Sequence, residues 1–502
     1  MLNRITLLIA CVLLVIKMQA QVVRIDSFES NYAFTGLATN GMMAYTYRVD
    51  ESGTNKTASL EIAFCMADYA NVKKFKVGIA KGAKVLASVF SDEGFLFLTG
   101  DAVSQTRKLI QINIEGAVNQ QYTESDVEAQ NMMSADNYYL FNSLGFTYLI
   151  VPVLEKKGYK LTVFDNELKQ IHTKIYTGKA NMEVVTAKLL MDRILILEKE
   201  TTDAKQAKYQ YSIRQVSANM PDASTALTLN DEQDYCFPMF INAKDGMVHT
   251  AGLYYKNGKY EDGKAGGLMV YQLSQDGMVM KKTKVPMSKV NQFLPDAWIA
   301  ALSKNTYLAI QDAYTGIAGN TVVVAEMVQK NLKAKDALVK VSDMLVMQIS
   351  VEDELTKLQF AEKAPELNIV MSGKGVENNL LHTTEWLASH NLRNYKFSVM
   401  LMGQQHICYQ AGDTNQAAST VMLLPIDSLT EGMGSRMLIS LLPDPNRLMA
   451  RPSIVRVNTD KPDDARVACN RYYGFMPTGD MRLFVYNLVP PVLQWTVEHI
   501  RK

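Results

Sequence analysis

One pattern recurs at least eight times along this chain: an alternating apolar strand, a polar turn and a second strand. The spacing of the copies, about 45 to 77 residues, is typical of closed arrays of small sheets. We therefore expect an all-β fold: a single β-propeller of seven or eight blades built from antiparallel sheets, with seven favoured because one weak copy could share a blade. The copies end near Asp68, Asn113, Asp165, Gln215, Ser274, Ser350, Asp427 and Asn487.

The residue pattern within the copies supports strands. In the copy LIQINIEGAV, Ile110, Ile112 and Ile114 share one face, with Gln111 and Asn113 on the other. A period of two indicates a half-buried strand. Other copies, such as RLFVYNL, are apolar on both faces. Propeller blades require this because each sheet is covered by a neighbour on both sides.

Two of the intervals between copies are long and must hold insertions. The segment Val376–Tyr395 has apolar residues at helical spacing, and Asn378 or Asn379 is placed to cap its start. We expect a short helical insertion there. Such insertions usually lie at a blade end, where propellers also bind ligands.

The last copy ends shortly before Lys502, which leaves the final blade short of a strand. Closure of the ring would then need a strand from the beginning of the chain. The segment Val22–Phe28 is the candidate, and we expect it to join the last sheet.

Residues 1–20 have the layout of a signal peptide: a basic start (MLNR), an apolar run (ITLLIACVLLVI) and the end KMQA. We expect cleavage after Ala20, so that residues 21–502 form the propeller. The alternative is lipid attachment at Cys11, which follows a small residue. Either leader predicts an exported protein, periplasmic or extracellular, and the mature chain has no second apolar run long enough to be a transmembrane segment.

The charge balance argues against a nucleic-acid partner. The chain carries 52 basic and 51 acidic residues, a formal net charge of +1. Nucleic-acid binders usually carry a basic surplus concentrated on one face. The four cysteines that follow the leader are too few and too widely spaced for a disulfide scaffold, so buried free thiols are expected.

Catalytic and cofactor motifs are missing from the sequence. The segment GKYEDGKA (258–265) fits a phosphate-binding loop except for Ala265, where a magnesium-binding hydroxyl is required. It is better interpreted as a long hairpin turn. His382 and His390 do not stack at helical spacing, so no metal site is assigned. We assign no catalytic residue, no metal ligand and no cofactor.

Clustered aromatic residues give the one set of candidate ligand-binding positions. Exposed rings at blade ends could stack on sugars or hold a peptide, whereas buried rings would pack the core. Both interpretations stay open for these clusters. The candidates are Tyr254, Tyr255, Tyr260, Tyr472 and Tyr473.

The chain resembles uncharacterised secreted envelope proteins of Bacteroidota bacteria that look propeller-like. The resemblance rests on the leader ending in MQA-Q and on segments such as LTVFDNELKQI and GGLMVYQLSQDGMV. It implies export and a repeated-sheet fold, and it implies no active residue.

These observations favour an exported, non-enzymatic binding module of the cell envelope that holds a protein partner or a glycan. A carbohydrate-active enzyme, a glycoside hydrolase or lyase whose acids come from different blades, is the first alternative, because residues that converge only in three dimensions leave no sequence motif. The second alternative is a structural or assembly protein.

Overall fold

The computed structural model of the protein describes most of the chain between Gln21 and His499. The described residues are 21–25, 34–37, 44–52, 56–65, 72–91, 93–127, 138–155, 157–190, 192–244, 246–316, 319–333, 335–360, 367–390, 392–401, 404–411, 420–425, 437–439, 454–460, 474–478, 482–489 and 492–499. The expected signal peptide, residues 1–20, lies outside them.

These residues form eight sheets, which we number as blades 1 to 8 in chain order. Strand β1 (Gln21–Ile25) is separate and belongs to blade 8. Blades 1 to 4 are four-stranded antiparallel meanders. Blade 1 contains β2 (Phe34–Leu37), β3 (Ala44–Asp50), β4 (Thr57–Cys65) and β5 (Val72–Ala80), and blade 2 contains β6 (Lys84–Ser91), β7 (Gly94–Asp101), β8 (Thr106–Ile112) and β9 (Val118–Glu124). Blade 3 contains β10 (Tyr139–Ser143), β11 (Phe146–Val153), β12 (Gly158–Phe164) and β13 (Gln170–Thr177), and blade 4 contains β14 (Asn181–Leu190), β15 (Arg193–Asp203), β16 (Lys208–Ser217) and β17 (Thr225–Thr228).

Blades 5 and 6 are larger. Blade 5 contains β18 (Asn230–Asp231), β19 (Asp234–Pro238), β20 (Asn242–Lys244), β21 (Met247–Lys256), β22 (Gly267–Ser274) and β23 (Val279–Pro286). Blade 6 contains β24 (Thr306–Thr315), β25 (Thr321–Lys333), β26 (Asp336–Ile349), β27 (Leu355–Phe360) and β28 (Leu367–Ser372).

The remaining strands complete blades 7 and 8 and extend blade 6. Blade 7 contains β29 (Tyr395–Leu401), β30 (Gln404–Ala411), β31 (Thr420–Pro425) and β32 (Met437–Ile439). Strand β33 (Ile454–Asn458) then returns to blade 6 and pairs with β28 in parallel. Blade 8 contains β34 (Gly474–Thr478), β35 (Arg482–Val489) and β36 (Val492–His499).

The eight sequence copies fall one in each of the eight sheets, which confirms the all-β propeller. Of the two blade counts expected, the described residues give eight, so the preference for seven was wrong. No weak copy shares a blade, because each copy has its own hydrogen-bonded neighbours. The number of blades depends on which strands are hydrogen-bonded to one another, and the spacing of the sequence copies does not give this information.

The ring closes through its first strand, as expected. Strand β1 pairs antiparallel with β36, and Val23 lies opposite Trp495. The last sheet therefore contains three strands from the end of the chain and one from its beginning. This confirms that the segment beginning at Val22 joins the final blade.

The two long intervals hold three helices of the described residues. Helices α1 (Met287–Asn291) and α2 (Asp296–Leu302) lie between blades 5 and 6, and α3 (Leu380–Ser389) lies between blades 6 and 7. The Asn379 side chain accepts a hydrogen bond from the backbone N–H of His382, which confirms the capped helix. Short 3-10 turns occur at Pro221–Ala223 and Lys374–Glu377.

Neighbouring blades are joined by buried contacts between their faces. The ring of Tyr47 in blade 1 meets the edge of Phe97 in blade 2, with centroids 5.1 Å apart. Between blades 3 and 4, the hydroxyl of Tyr159 donates to the carboxylate of Glu198, which also accepts from Arg214. Because Glu198 is almost fully buried, these donors offset the cost of its desolvation.

Candidate functional site

Edge strands of successive blades contact one another, as the walls of a propeller's central channel do. Contacts run from β6 to β10, and then to β14, β20, β24 and β29. A cavity of about 540 Å³ opens among the last five of these strands. Its size lies within the range of about 300–1,000 Å³ that is usual for small-molecule sites.

Helix α3 forms one wall of this cavity with its C-terminal half. Glu385, on the helix, accepts hydrogen bonds from Tyr211 of blade 4, with an O···O distance of 2.6 Å, and from Lys199 of the same blade. On the blade 6 side, the ammonium of Lys330 donates to Thr383 at 2.9 Å. The helix is therefore held to two blades, and it places Ala388, Ser389 and its own Glu385 on the cavity lining.

Asp312, on β24, is a carboxylate of the cavity lining whose acceptor positions are already used. Its Oδ2 accepts from the hydroxyls of Tyr395 and Ser398, each at 2.6 Å. Its Oδ1 accepts from Asn242 Nδ2 at 2.8 Å and from the backbone N–H of Ala313 at 2.9 Å. Burial raises the pKa of Asp312, and these hydrogen bonds oppose the shift.

Two cations of the cavity, Lys188 and Arg393, are in the opposite situation, whereas Lys396 donates to the backbone carbonyl of Arg393. Within the described part of the chain, the Lys188 ammonium on β14 has no hydrogen bond and no carboxylate within 4 Å. Arg393, in the turn between α3 and β29, uses only Nη1, which donates to Gln311 Oε1 at 2.9 Å. Its Nε is buried and has no acceptor among those residues. The lining thus combines satisfied carboxylates with two cations that keep donors without an acceptor among the described residues.

Lys188 remains in contact with solvent although the channel walls surround it. Desolvation by these walls lowers the pKa of Lys188, and the charge of Arg393 lowers it further, whereas Asp312 opposes the shift. Arg393, in the turn before β29, and Asp312, on β24, therefore both act electrostatically on Lys188. An anion between the two cations would relieve their mutual repulsion.

The turn that carries Arg393 is fixed by a buried carboxylate. Glu326 Oε1, on β25, accepts hydrogen bonds from the backbone N–H groups of Asn394 and Tyr395, both at 2.8 Å. Glu326 is fully buried, and burial raises its pKa. The guanidinium of Arg393 also lies over the ring of Tyr395, 5.5 Å from its centroid.

The structure places the tyrosines around the 257–265 turn in the core. Tyr254, Tyr255 and Tyr260 are 7%, 2% and 5% exposed. The ring of Tyr255 packs between those of Phe237 and Tyr260, with centroids 4.8 and 5.1 Å away. These three side chains therefore pack in the core, which is one of the two interpretations left open. A ligand-binding role for them stays a prediction. Tyr472 and Tyr473 lie outside the described residues.

The 257–265 segment is a hairpin turn, as expected. Asn257 and Gly258 both have positive φ, 54° and 65°, and the turn docks on blade 4, where Tyr209 donates its backbone N–H to Gly258 at 2.8 Å. A Cβ on Gly258 would lie 2.5 Å from the Tyr209 carbonyl oxygen, so the position requires glycine. The turn therefore joins two blades.

Histidine and cysteine side chains form no assembled metal site in the described part of the chain. His382 packs against Tyr209, and His390 stacks on Trp386, with ring centroids 5.4 and 4.1 Å apart. Cys236 is buried as a free thiol, which agrees with expectation, and its S–H donates to the carbonyl of Met269.

No sequence pattern pointed to Lys188 or Arg393, because one lysine in a strand and one arginine in a turn fit many environments. The helical insertion was the useful clue, since α3 and the turn after it supply part of the cavity. Position on a first strand was the missing information for Lys188, and it depends on strand register.

No protein-family model matches this chain, and no curated protein is similar to it. The described residues contain no helix that is both long and apolar enough to span a membrane.

Several solved propellers are similar to the chain at low identity. The WD40 domain of SCAP from fission yeast is 8% identical, with 96% of this chain and 98% of that chain covered and a TM-score of 0.42. Sqt1 from Chaetomium thermophilum is 9% identical, with 95% and 100% covered and a TM-score of 0.42. The β-propeller domain of the Trilobed protease from Pyrococcus furiosus is 9% identical, with 67% and 95% covered and a TM-score of 0.35.

Proposed function

We propose that this protein is an exported binding module that holds a protein or glycan partner at the channel cavity beside α3. The observation that carries the proposal is the contrast within the lining: Asp312 and Glu385 have their donors, whereas the Lys188 ammonium and the Nε of Arg393 have no acceptor among the described residues. The buried, unsatisfied Nε of Arg393 costs about 1–3 kcal/mol, which an acceptor on a bound partner would offset, and the solvent-exposed Lys188 ammonium adds a second positive charge.

Export is part of the same proposal and rests on the leader-like residues 1–20 and on the resemblance to secreted envelope proteins. The function as a binder rests on the fold and the cavity and does not depend on the compartment. Propellers include both binding modules and enzymes, so the choice between these two functions depends on the chemistry of the cavity.

A glycan-cleaving enzyme is the second candidate, and a specific observation favours it. Asp312 and Glu183 lie on the first strands of different blades, and burial raises the pKa of both carboxyl groups. A raised pKa is the property that a general acid needs. Against this, the four hydrogen bonds to Asp312 fix it as an acceptor, so the binding module remains the better-supported function.

Binding of the purified chain, residues 21–502, to a glycan array tests the proposal when both retention and product release are measured. Ala388→Trp adds bulk inside the cavity, and Val103→Trp adds the same bulk at a position that is 91% exposed. We expect retention without turnover, lost in Ala388→Trp and kept in Val103→Trp. Product release would favour the enzyme, and equal retention by the two variants would place the partner elsewhere.

A further inference from the structure

One edge of the Arg393 guanidinium, formed by the buried Nε and by Nη2, has no acceptor among the described residues. Nη1 is used by Gln311, whereas Nε and Nη2 have no acceptor among those residues. The Nε and Nη2 hydrogens are parallel, and their spacing matches the two oxygens of a carboxylate. This edge therefore favours a planar, bidentate anion over a single negative charge.

Lys188 supplies a second positive charge to the same cavity. Its ammonium is free of carboxylate partners within the described chain and is solvent-accessible, so it can reach a ligand without breaking an existing bond. The ammonium acts as a point charge with three donors, which complements the directional arginine edge. Two contacts of different geometry on one anionic group give both attraction and orientation.

The rest of the lining suits a polyhydroxylated ligand. Gln311, Ser389 and Ser398 contribute amide and hydroxyl groups. Val185 and Ile241 add apolar surface. A sugar ring has this combination of hydroxyl groups and C–H faces, whereas a lone inorganic anion would leave most of the cavity empty.

We infer that this cavity binds the carboxylate of an acidic sugar unit, held by Arg393 in a bidentate contact and by Lys188 as a second cation. The inference rests on the proposed function, since it names the ligand class for the same cavity. A peptide with a free C-terminal carboxylate shares the anionic group but lacks the ring hydroxyls, and the experiment separates the two.

Calorimetry with D-glucuronate and D-glucose tests the inference directly, because the two sugars differ in the carboxylate at C6. We expect the full chain to bind glucuronate at least about tenfold more tightly than glucose, a difference of about 1.4 kcal/mol. Lys188→Met and Arg393→Gln should each weaken glucuronate binding about tenfold or more. Lys289→Met removes an exposed lysine on α1 and should leave binding unchanged.

Arg393→Lys keeps the charge but removes the paired donors, so it should also weaken binding if the contact is bidentate. Thermal melts of each variant show whether the fold is kept, and Lys188→Met serves if an Arg393 variant unfolds. Equal affinity for glucose and glucuronate would overturn the inference. Glucuronate binding of unchanged affinity in both single variants, Lys188→Met and Arg393→Lys, would overturn it as well.

A short acetylated peptide with a free C-terminus, compared with its amide, forms the second arm. Binding of the peptide acid without binding of glucuronate would overturn the sugar assignment. The outcomes also separate this inference from the proposed function. Loss of array retention in Ala388→Trp together with no glucuronate binding would keep the binding module and reject the acidic sugar. Unchanged retention in Ala388→Trp would reject the cavity itself.

Discussion

Glu326 accepts the backbone N–H of Tyr395 at 2.8 Å, and the two residues belong to neighbouring blades. The same carboxylate oxygen binds the N–H of Asn394, so one buried side chain on β25 fixes the start of β29. Arg393 is the preceding residue. The position of a cavity cation is therefore set by a group that does not itself line the cavity.

Glu326→Ala should lower the free energy of unfolding by about 2–4 kcal/mol, because two buried N–H groups lose their acceptor. Glu326→Gln keeps an oxygen acceptor and removes the charge. Because burial raises the pKa of Glu326, its charged form disfavours the fold, and the glutamine variant should match or exceed the wild type at pH 7. Urea unfolding measures both; a glutamine variant as unstable as the alanine variant would contradict this account.

Lys188→Met should leave stability unchanged or raise it at neutral pH while it weakens anion binding. The folded-state pKa of Lys188 is lowered, so the unfolded chain binds more protons, and stability at this site rises as the pH rises towards the ordinary lysine pKa. Methionine removes that dependence. Four other charged residues line the cavity: Arg393, Asp312, Glu385 and Lys396. The melts of Lys188→Met at pH 7 and pH 9.5 should therefore be compared with those of Lys289→Met, which keeps all four. A lower melting temperature for Lys188→Met would indicate a structural lysine.

His249 should contribute to loss of stability in mild acid. Burial lowers its pKa to about 4, whereas an unfolded-chain histidine titrates near 6.5. Stability is therefore lost as the pH falls from about 6.5 to about 4, by up to about 3 kcal/mol at this site. His249→Gln should flatten the dependence of the melting temperature on pH between 7 and 5. His172→Gln is the control, and an equal acid sensitivity in wild type and His249→Gln would refute the assignment.

Tyr255→Ala should destabilise the protein by about 3–5 kcal/mol, since it removes a ring that is 2% exposed and packed between two other rings. Val103→Ala, at an exposed turn, should change stability by less than about 0.5 kcal/mol. Chemical denaturation measures both. If Tyr255→Ala kept normal stability but no longer bound its ligand, the tyrosines would be the ligand-binding residues after all.

Removal of the first strand should weaken the whole ring. Residues 26–502 lack β1, the partner of β36, and the last sheet then exposes an unpaired strand edge. We expect a melting temperature several degrees below that of residues 21–502, with a broader transition as cooperativity falls. Scanning calorimetry of the two chains makes the comparison, and coincident melts would show that closure does not depend on β1.

The sequence was sufficient for the architecture because the information is local and repeated. Alternating residues such as Ile110 and Ile112, the Asn257-Gly258 turn and the Asn379 cap each specify a nearby conformation. Even the joining of β1 to β36 followed from a missing strand at the chain end.

The cavity could not be predicted in the same way, because Lys188 and Arg393 are 205 positions apart in the sequence and come together only through the ring. Tyrosine clustering near residue 255 was visible in the sequence but does not separate an exposed platform from a packed core. Burial makes that distinction, and burial depends on the neighbouring blade. The charge balance of the cavity likewise depends on which carboxylates are already bonded, as Asp312 is.

A crystal structure of residues 21–502 with D-glucuronate tests the central claim most directly. The ligand concentration follows from the calorimetry, and a crystal of the Lys188→Met protein is treated in the same way. The account predicts ligand density in the channel cavity beside α3, with the carboxylate on the Nε–Nη2 edge of Arg393 and within hydrogen-bond distance of Lys188. Density at a different site, or equal density in the Lys188→Met crystal, would contradict it.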